Sequence, residues 1–286
     1  MFTAGLRSPI LSAEFVAPVA RLRGRQKGSH SSWEVDTRTM RIRLKCLAIL
    51  VAACGVVALG QKPVTVHMAG DSTMAPKTER SRPETGWGEP FGEFLDPGKF
   101  AIDNRAVNGR SAKSFIAEGR WQALLDATKP GDWVFVQFGH NDEKETSADP
   151  NAPLADFRRN LQRFVTDVRA KGATPVLLTP VMRRRYDANG DFFDTHGEYP
   201  GVVRQVAKEL DADLIDLHAM TGDLLRQRGP EASRSLFLML KPGEHPNYPD
   251  GVEDNTHFSP KGARAVAQLA AGPFLEIVAK RTGGTR

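Results

Sequence analysis

The stretch Val64-Thr65-Val66-His67-Met68-Ala69-Gly70-Asp71-Ser72-Thr73 decides how the chain is read. Its first six residues form a short, mostly apolar run, which predicts a strand buried on both faces over 64–69. A small residue then lets the chain turn sharply, and Ser72 projects from the strand's end. A helix expected to follow would aim backbone N–H groups at that point and favour developing negative charge there. Taken alone, Asp-Ser after a strand reads first as a helix cap.

Further along, short apolar runs alternate with longer amphipathic stretches. Residues 133–138 and 175–179 read as buried strands, and 100–106 and 213–217 as weaker ones. Leu154, Phe157, Leu161, Phe164, Val165 and Val168 recur at helical spacing before Gly172, which predicts a helix over 154–171. Residues 201–210 and 261–280 read as two more. Strand–helix alternation predicts an α/β fold, with a parallel sheet covered by helices on both faces. Such sheets bind ligands at the carboxyl ends of their strands. The polar clusters of this sequence stand just there.

The chain has 286 residues and a formal net charge of +5, but that charge is unevenly placed. Residues 1–60 hold nine Lys/Arg against three Asp/Glu, and the rest holds 30 against 31. The body is therefore near neutral, which removes the electrostatic case for a nucleic-acid partner. Both cysteines, Cys46 and Cys54, also lie in the leader. A body without cysteine excludes a disulfide framework, a thiol nucleophile and a Cys-ligated metal.

The leader itself carries a basic stretch from Met40 to Lys45, an apolar run over 46–60 and the small-residue exit Ala58-Leu59-Gly60. That order predicts a secretory signal peptide over 40–60. The run is short for a bilayer span, which takes about twenty residues. Met40 is the expected start, with 1–39 an extension of the gene model or disordered. Val51-Ala52-Ala53-Cys54 offers a competing lipoprotein box, with a lipid anchor at Cys54. Residues 61–286 are expected to form one domain, secreted or periplasmic and monomeric, with no stable membrane insertion once the leader is cut.

Four constellations carry chemistry. Ser72 is the first. Gly109, in Asn104-Arg105-Ala106-Val107-Asn108-Gly109-Arg110-Ser111, permits close backbone approach to a substrate oxygen. Asn141, in Gly139-His140-Asn141-Asp142, offers a side-chain N–H to an oxyanion. Asp254-Asn255-Thr256-His257 places a carboxylate three residues from an imidazole, within a helical turn's reach, so that one ring nitrogen is held and the other is left to accept from a serine. Each segment alone reads as an ordinary turn or cap. Together they supply a nucleophile, oxyanion donors and an oriented base.

In this order, Gly70-Asp71-Ser72, Gly109, Gly139-His140-Asn141-Asp142 and Asp254-x-x-His257 resemble the four sequence blocks of the SGNH (GDSL-type) hydrolases. The flanking text Thr73-Met74-Ala75, Gly86-Trp87-Gly88, Ser111-Ala112-Lys113-Ser114-Phe115 and Pro246-Asn247-Tyr248-Pro249-Asp250-Gly251 is similar to the rhamnogalacturonan acetylesterases, a group of carbohydrate esterases. The resemblance implies a flavodoxin-like three-layer α/β/α sandwich with a five-stranded parallel sheet. It implies deacetylation of a pectic polysaccharide of the plant cell wall, without a metal or other cofactor. It makes Ser72 the nucleophile, His257 the base and Asp254 its orienter, with the Ser72 and Gly109 N–H groups and the Asn141 side chain as the oxyanion hole.

For the substrate, Arg110, Lys113, Arg183, Arg184 and Arg185 are candidate partners of uronate carboxylates. The arginine triplet reads first as a solvated charge run, since such runs are usually exposed. Trp87 is a candidate for stacking on a sugar or a packing residue, and His140 a candidate contact or a brace for its loop. His67 reads as a core histidine. Two other classes stay in view: a metal-dependent phosphoesterase built on Asp71, Asn141, Asp142 and His257, and a non-catalytic carbohydrate-binding protein on the same fold. Within the esterase class, acetylated xylan or a small ester is the alternative substrate.

Overall fold

The computed structural model describes residues 62–144 and 152–283. The expectations for 1–60 lie outside them. β1 (Val64–Gly70), β2 (Phe100–Asn104), β3 (Trp133–Gln137), β4 (Thr174–Leu178) and β5 (Asp213–Ile215) form one sheet. Every pairing in it is parallel, in the order β2-β1-β3-β4-β5. That is the doubly wound, flavodoxin-like order. All five strands fall within the segments read from the sequence, to within a residue or two at their ends.

Alternation along the strands divides the core in two. On β3, Trp133 and Phe135 point to one face and Val134 and Val136 to the other, and all four are buried. The second face is covered by α1 (Ala112–Ala117), α2 (Arg120–Ala127), α3 (Ala152–Ala170) and α4 (Tyr199–Glu209). Phe157, Leu161, Phe164, Val165 and Val168 of α3, the residues that gave the helical spacing, all lie in this layer. The first face is covered by α5 (Leu217–Ser233) and α6 (Pro260–Gly283). Small residues at Ala263, Ala267, Ala270 and Ala271 let α6 approach closely. Phe274 then fills the centre, with its ring 5.0–5.4 Å from the rings of Phe100, Trp133 and Phe135.

A two-stranded antiparallel ribbon, β6 (Phe237–Leu240) and β7 (Val252–Phe258), stands apart from the sheet. The sequence gives no alternation there to announce it. Within the sheet, His67 is buried on β1 beside Asp103 Oδ2 at 2.7 Å and Asp132 Oδ2 at 3.3 Å, as a core histidine should be.

Because Phe274 is fully buried among aromatic rings, Phe274→Ala should cost about 3–5 kcal/mol of unfolding free energy. Denaturant titration of the two proteins measures this. A change under about 1 kcal/mol would mean that this layer of the core is not packed as described.

Candidate active site

Ser72 follows β1 directly, and no helix begins there. The chain instead makes a single tight turn, in which the Met74 and Ala75 N–H groups donate to Asp71 O. The buried Asp71 carboxylate accepts from Thr73 N (2.9 Å) and Thr73 Oγ1 (2.8 Å), so it fixes the turn from inside. Trp87 N and Gly88 N close the turn from outside by donating to Thr73 O and Met74 O. A Cβ at Gly86 would lie 2.0 Å from Ala75 O, so the Gly86-Trp87-Gly88 motif is a backbone-packing device.

Asp254 and His257 lie on a strand, not on a helical turn. Phe237 and Leu238 of β6 are adjacent, yet they face Phe258 and Asp254 of β7, so residues 255–257 bulge out of the ribbon. Asp254 Oδ1 holds the bulge by accepting from Thr256 N (2.7 Å) and His257 N (3.0 Å). Its Oδ2 lies 2.6 Å from His257 Nδ1, and His257 Nε2 lies 2.8 Å from Ser72 Oγ. Burial works against the Asp254 carboxylate, but its bonds with the His257 ring and the two backbone N–H groups outweigh that and hold its pKa down at about 2. An ionised carboxylate only accepts, so Nδ1 carries the ring proton and Nε2 accepts from the Ser72 hydroxyl. This is the geometry of a serine made nucleophilic by an oriented imidazole.

β2 and β3 flank β1 in the sheet and end at the same edge. Gly109, at φ +74°, lies on the turn after β2. Asn141 follows β3, where its amide donates to Arg110 O at 3.1 Å and its Oδ1 lies 3.3 Å from Lys144 Nζ. These two contacts fix which end of the amide is nitrogen and leave it one further N–H. Among the described residues, no acceptor takes the N–H of Ser72 or of Gly109. Ser72, Gly109, Asn141 and His257 all line one open cavity of about 380 Å³.

Of the remaining candidates, only His140 borders this cavity. Trp87 is fully buried, packed edge-on against Phe91, and its Nε1 donates to Gln137 Oε1 (2.6 Å), so its ring is closed to a sugar. The Arg110 side chain turns to Glu118 at 3.1 Å, outside the cavity wall, and Lys113 is exposed on α1. His140 borders the cavity but its ring is buried, with Nδ1 3.2 Å from Asp71 Oδ2 at an angle poor for a hydrogen bond. Burial pushes its pKa below the ordinary value, against the pull of the neighbouring Asp71 carboxylate.

The arginine triplet is neither a solvated run nor a carboxylate receptor. Arg183 is buried, pairs with Glu143 and donates to His140 O, which braces the turn bearing Asn141. Arg184 donates from its backbone to Asn255 O and from Nη1 to Asn255 Oδ1, both at 2.8 Å, which braces the bulge bearing His257. Only Arg185 is exposed. Asp71 is committed through Oδ1 to the turn of Ser72, and Asp142 accepts from Gly139 N and Ala112 N. Among the described residues no three His, Cys, Asp or Glu side chains converge as metal ligands, so the phosphoesterase set is not assembled.

Two residues at the site were invisible in the sequence. Lys77 and Glu84 lie in irregular chain between β1 and β2, without motif or period. The Lys77 side chain is wholly buried beside Ser72, and Glu84 lines the cavity.

The family model of the GDSL-like lipase/acylhydrolase family matches residues 68–265, and the chain belongs to that family. It is thereby a carboxylic ester hydrolase. It is 46% identical to the rhamnogalacturonan acetylesterase RhgT of Bacillus subtilis, over 76% of this chain and 92% of that one. It is 27% identical to the rhamnogalacturonan acetylesterase of Emericella nidulans, over 84% of this chain and 97% of that one. Among solved structures, Bacillus subtilis YxiM superposes with a TM-score of 0.62 at 28% identity, covering 78% of this chain and 57% of that one.

The depressed pKa of Asp254 has a measurable consequence. Between about pH 2 and 4 the unfolded chain binds a proton at this residue that the folded chain does not, so the stability it confers rises with pH across that window. Thermal unfolding of wild type and Asp254→Asn should therefore diverge in favour of wild type as pH rises from 2 to 4, then run parallel. A difference that stays constant across that window would contradict the ionised pairing.

Proposed function

We propose that this protein is an exported serine esterase that removes acetyl groups from a pectic polysaccharide, rhamnogalacturonan, through an acetyl-serine intermediate. The observation that carries the chemistry is the chain of hydrogen bonds from Asp254 through His257 to Ser72 in the wall of the cavity. Support for the substrate comes from the relatives, two of which, from a bacterium and a fungus, are rhamnogalacturonan acetylesterases. Support for export comes from the basic, apolar and small-residue order of residues 40–60.

In the first step Ser72 Oγ attacks the acetyl carbonyl carbon and its proton passes to His257 Nε2. The carbonyl oxygen becomes an oxyanion, which takes hydrogen bonds from the Ser72 N–H, the Gly109 N–H and the free N–H of Asn141. One such donor is worth about 3–4 kcal/mol in a comparable site. Collapse breaks the bond to the sugar oxygen, which leaves with the proton from His257. Water then attacks the acetyl-serine while His257 takes its proton, and acetate departs as that proton returns to Ser72. Asp254 stays ionised throughout and stabilises the imidazolium.

Acetate release from acetylated rhamnogalacturonan, xylan and homogalacturonan, measured side by side, tests the substrate. The rhamnogalacturonan rate should be the highest, and equal rates would remove that substrate claim. Ser72→Ala should lower kcat by about 10⁴-fold or more. A Ser72→Ala protein with wild-type turnover would remove the mechanism.

A further inference from the structure

Lys77 presents an ammonium to the protein interior with no side-chain exposure. A buried charge is costly unless every hydrogen finds a partner. Here Nζ donates to Ser72 O (2.5 Å) and Asn108 Oδ1 (2.8 Å) and lies 2.7 Å from Glu84 Oε1. Three segments meet on one cation: the turn of Ser72, the turn of Gly109 and the irregular chain before Gly86. Glu84 is held further by its own N–H on Ser81 O and by its neighbour Thr85, whose N–H donates to Phe258 O of β7. Its position is therefore fixed from both sides.

One carboxylate oxygen of Glu84 thus neutralises Lys77. The other, Oε2, meets no protein donor among the described residues, and the side chain is 13% exposed in the cavity that holds Ser72 and His257. Neutralising a buried lysine takes one of the two oxygens and needs no place in the cavity wall, so Oε2 is left to accept from a partner in the cavity. An ionised carboxylate only accepts, so that partner is a donor. With an acetyl carbon placed for attack, about 3 Å from Ser72 Oγ, the part of the alcohol within reach is the sugar carbon bearing the ester and its neighbours.

We propose that Glu84 is a specificity-determining residue: its free oxygen accepts a hydrogen bond from a sugar hydroxyl next to the acetylated position, and Lys77 is the positioning residue that holds it there. This rests on the acetylesterase reading above and is independent of which polymer carries the ester. It makes the enzyme selective for a mono-acetylated sugar with a free neighbouring hydroxyl over one in which that position is blocked or missing.

The test uses a methyl galactoside with one O-acetyl group, either with a free hydroxyl on the adjacent carbon or deoxy at that carbon. For wild type, kcat/KM should favour the hydroxyl-bearing ester by about 10- to 100-fold, the range for a hydrogen bond to a charged group. In Glu84→Gln, which keeps an oxygen for Lys77 but loses the charge, the preference should fall to about fivefold or less. No preference in wild type, or one undiminished in Glu84→Gln, would overturn the proposal. So would failure to cleave either sugar ester by an enzyme that cleaves 4-nitrophenyl acetate. The wild-type comparison decides even if Glu84→Gln does not fold. Failure of the rhamnogalacturonan assignment would appear separately, in the polymer comparison.

Discussion

Parallel pairing of β1 with both β2 and β3 is the constraint on which the site depends. Parallel strands end together, so the turns that follow all three emerge at one edge of the sheet. Residues separated by dozens of positions, Ser72, Gly109 and Asn141, become neighbours for that reason alone. β3 and the carboxyl end of β1 are buried on both faces, which makes those strand ends rigid. In the proposed mechanism, a nucleophile mounted there moves little relative to donors mounted after the adjacent strands, which is what preorganised electrostatic stabilisation requires.

The proposed base arrives by a different route. His257 belongs to the β6–β7 ribbon, outside the sheet, and reaches Ser72 because residues 255–257 bulge toward it. An irregular segment of this kind needs bracing, and the protein supplies it with buried or half-buried cations. Arg184 grips Asn255 in the bulge, Arg183 grips the turn of Asn141, and Lys77 ties the turn of Ser72 to that of Gly109. Arginine suits the first two tasks because its planar fork bonds several acceptors in fixed directions.

Much of this was legible in the chain before its structure. β3 and β4 showed most plainly, as short runs of Val, Leu or Phe, because a central strand covered on both faces has little room for polar residues; β2 and β5, at the two edges, carry Asp or Asn and gave a weaker signal. Ser72, Gly109 and Asn141 showed because they follow strands of the sheet, whereas Asp254 and His257 showed through their spacing alone. Other features failed to show for physical reasons. The β6–β7 ribbon has no clean alternation, since β7 carries Glu253, Asp254, Asn255, Thr256 and His257 in succession. Three-residue spacing of Asp254 and His257 fits a bulge as well as a helical turn, and the bulge is what forms. Trp87 stood in a motif that left stacking on a sugar and packing equally open; its neighbouring glycines mark close backbone packing, and its ring is buried. Arg183 and Arg184 looked like a charge run, but their partners, Glu143 and Asn255, are far away in sequence. Lys77 and Glu84 gave no signal at all, because only the fold brings them together.

The central claim is that Ser72, made nucleophilic by His257, forms a covalent bond in the reaction. Treatment of the wild-type protein with 4-nitrophenyl diethyl phosphate, followed by mass spectrometry of its peptides, tests this most directly. The account predicts loss of esterase activity in step with a single phosphoryl adduct on Ser72. Full inactivation with the adduct on another residue, or no adduct on an active enzyme, would contradict it.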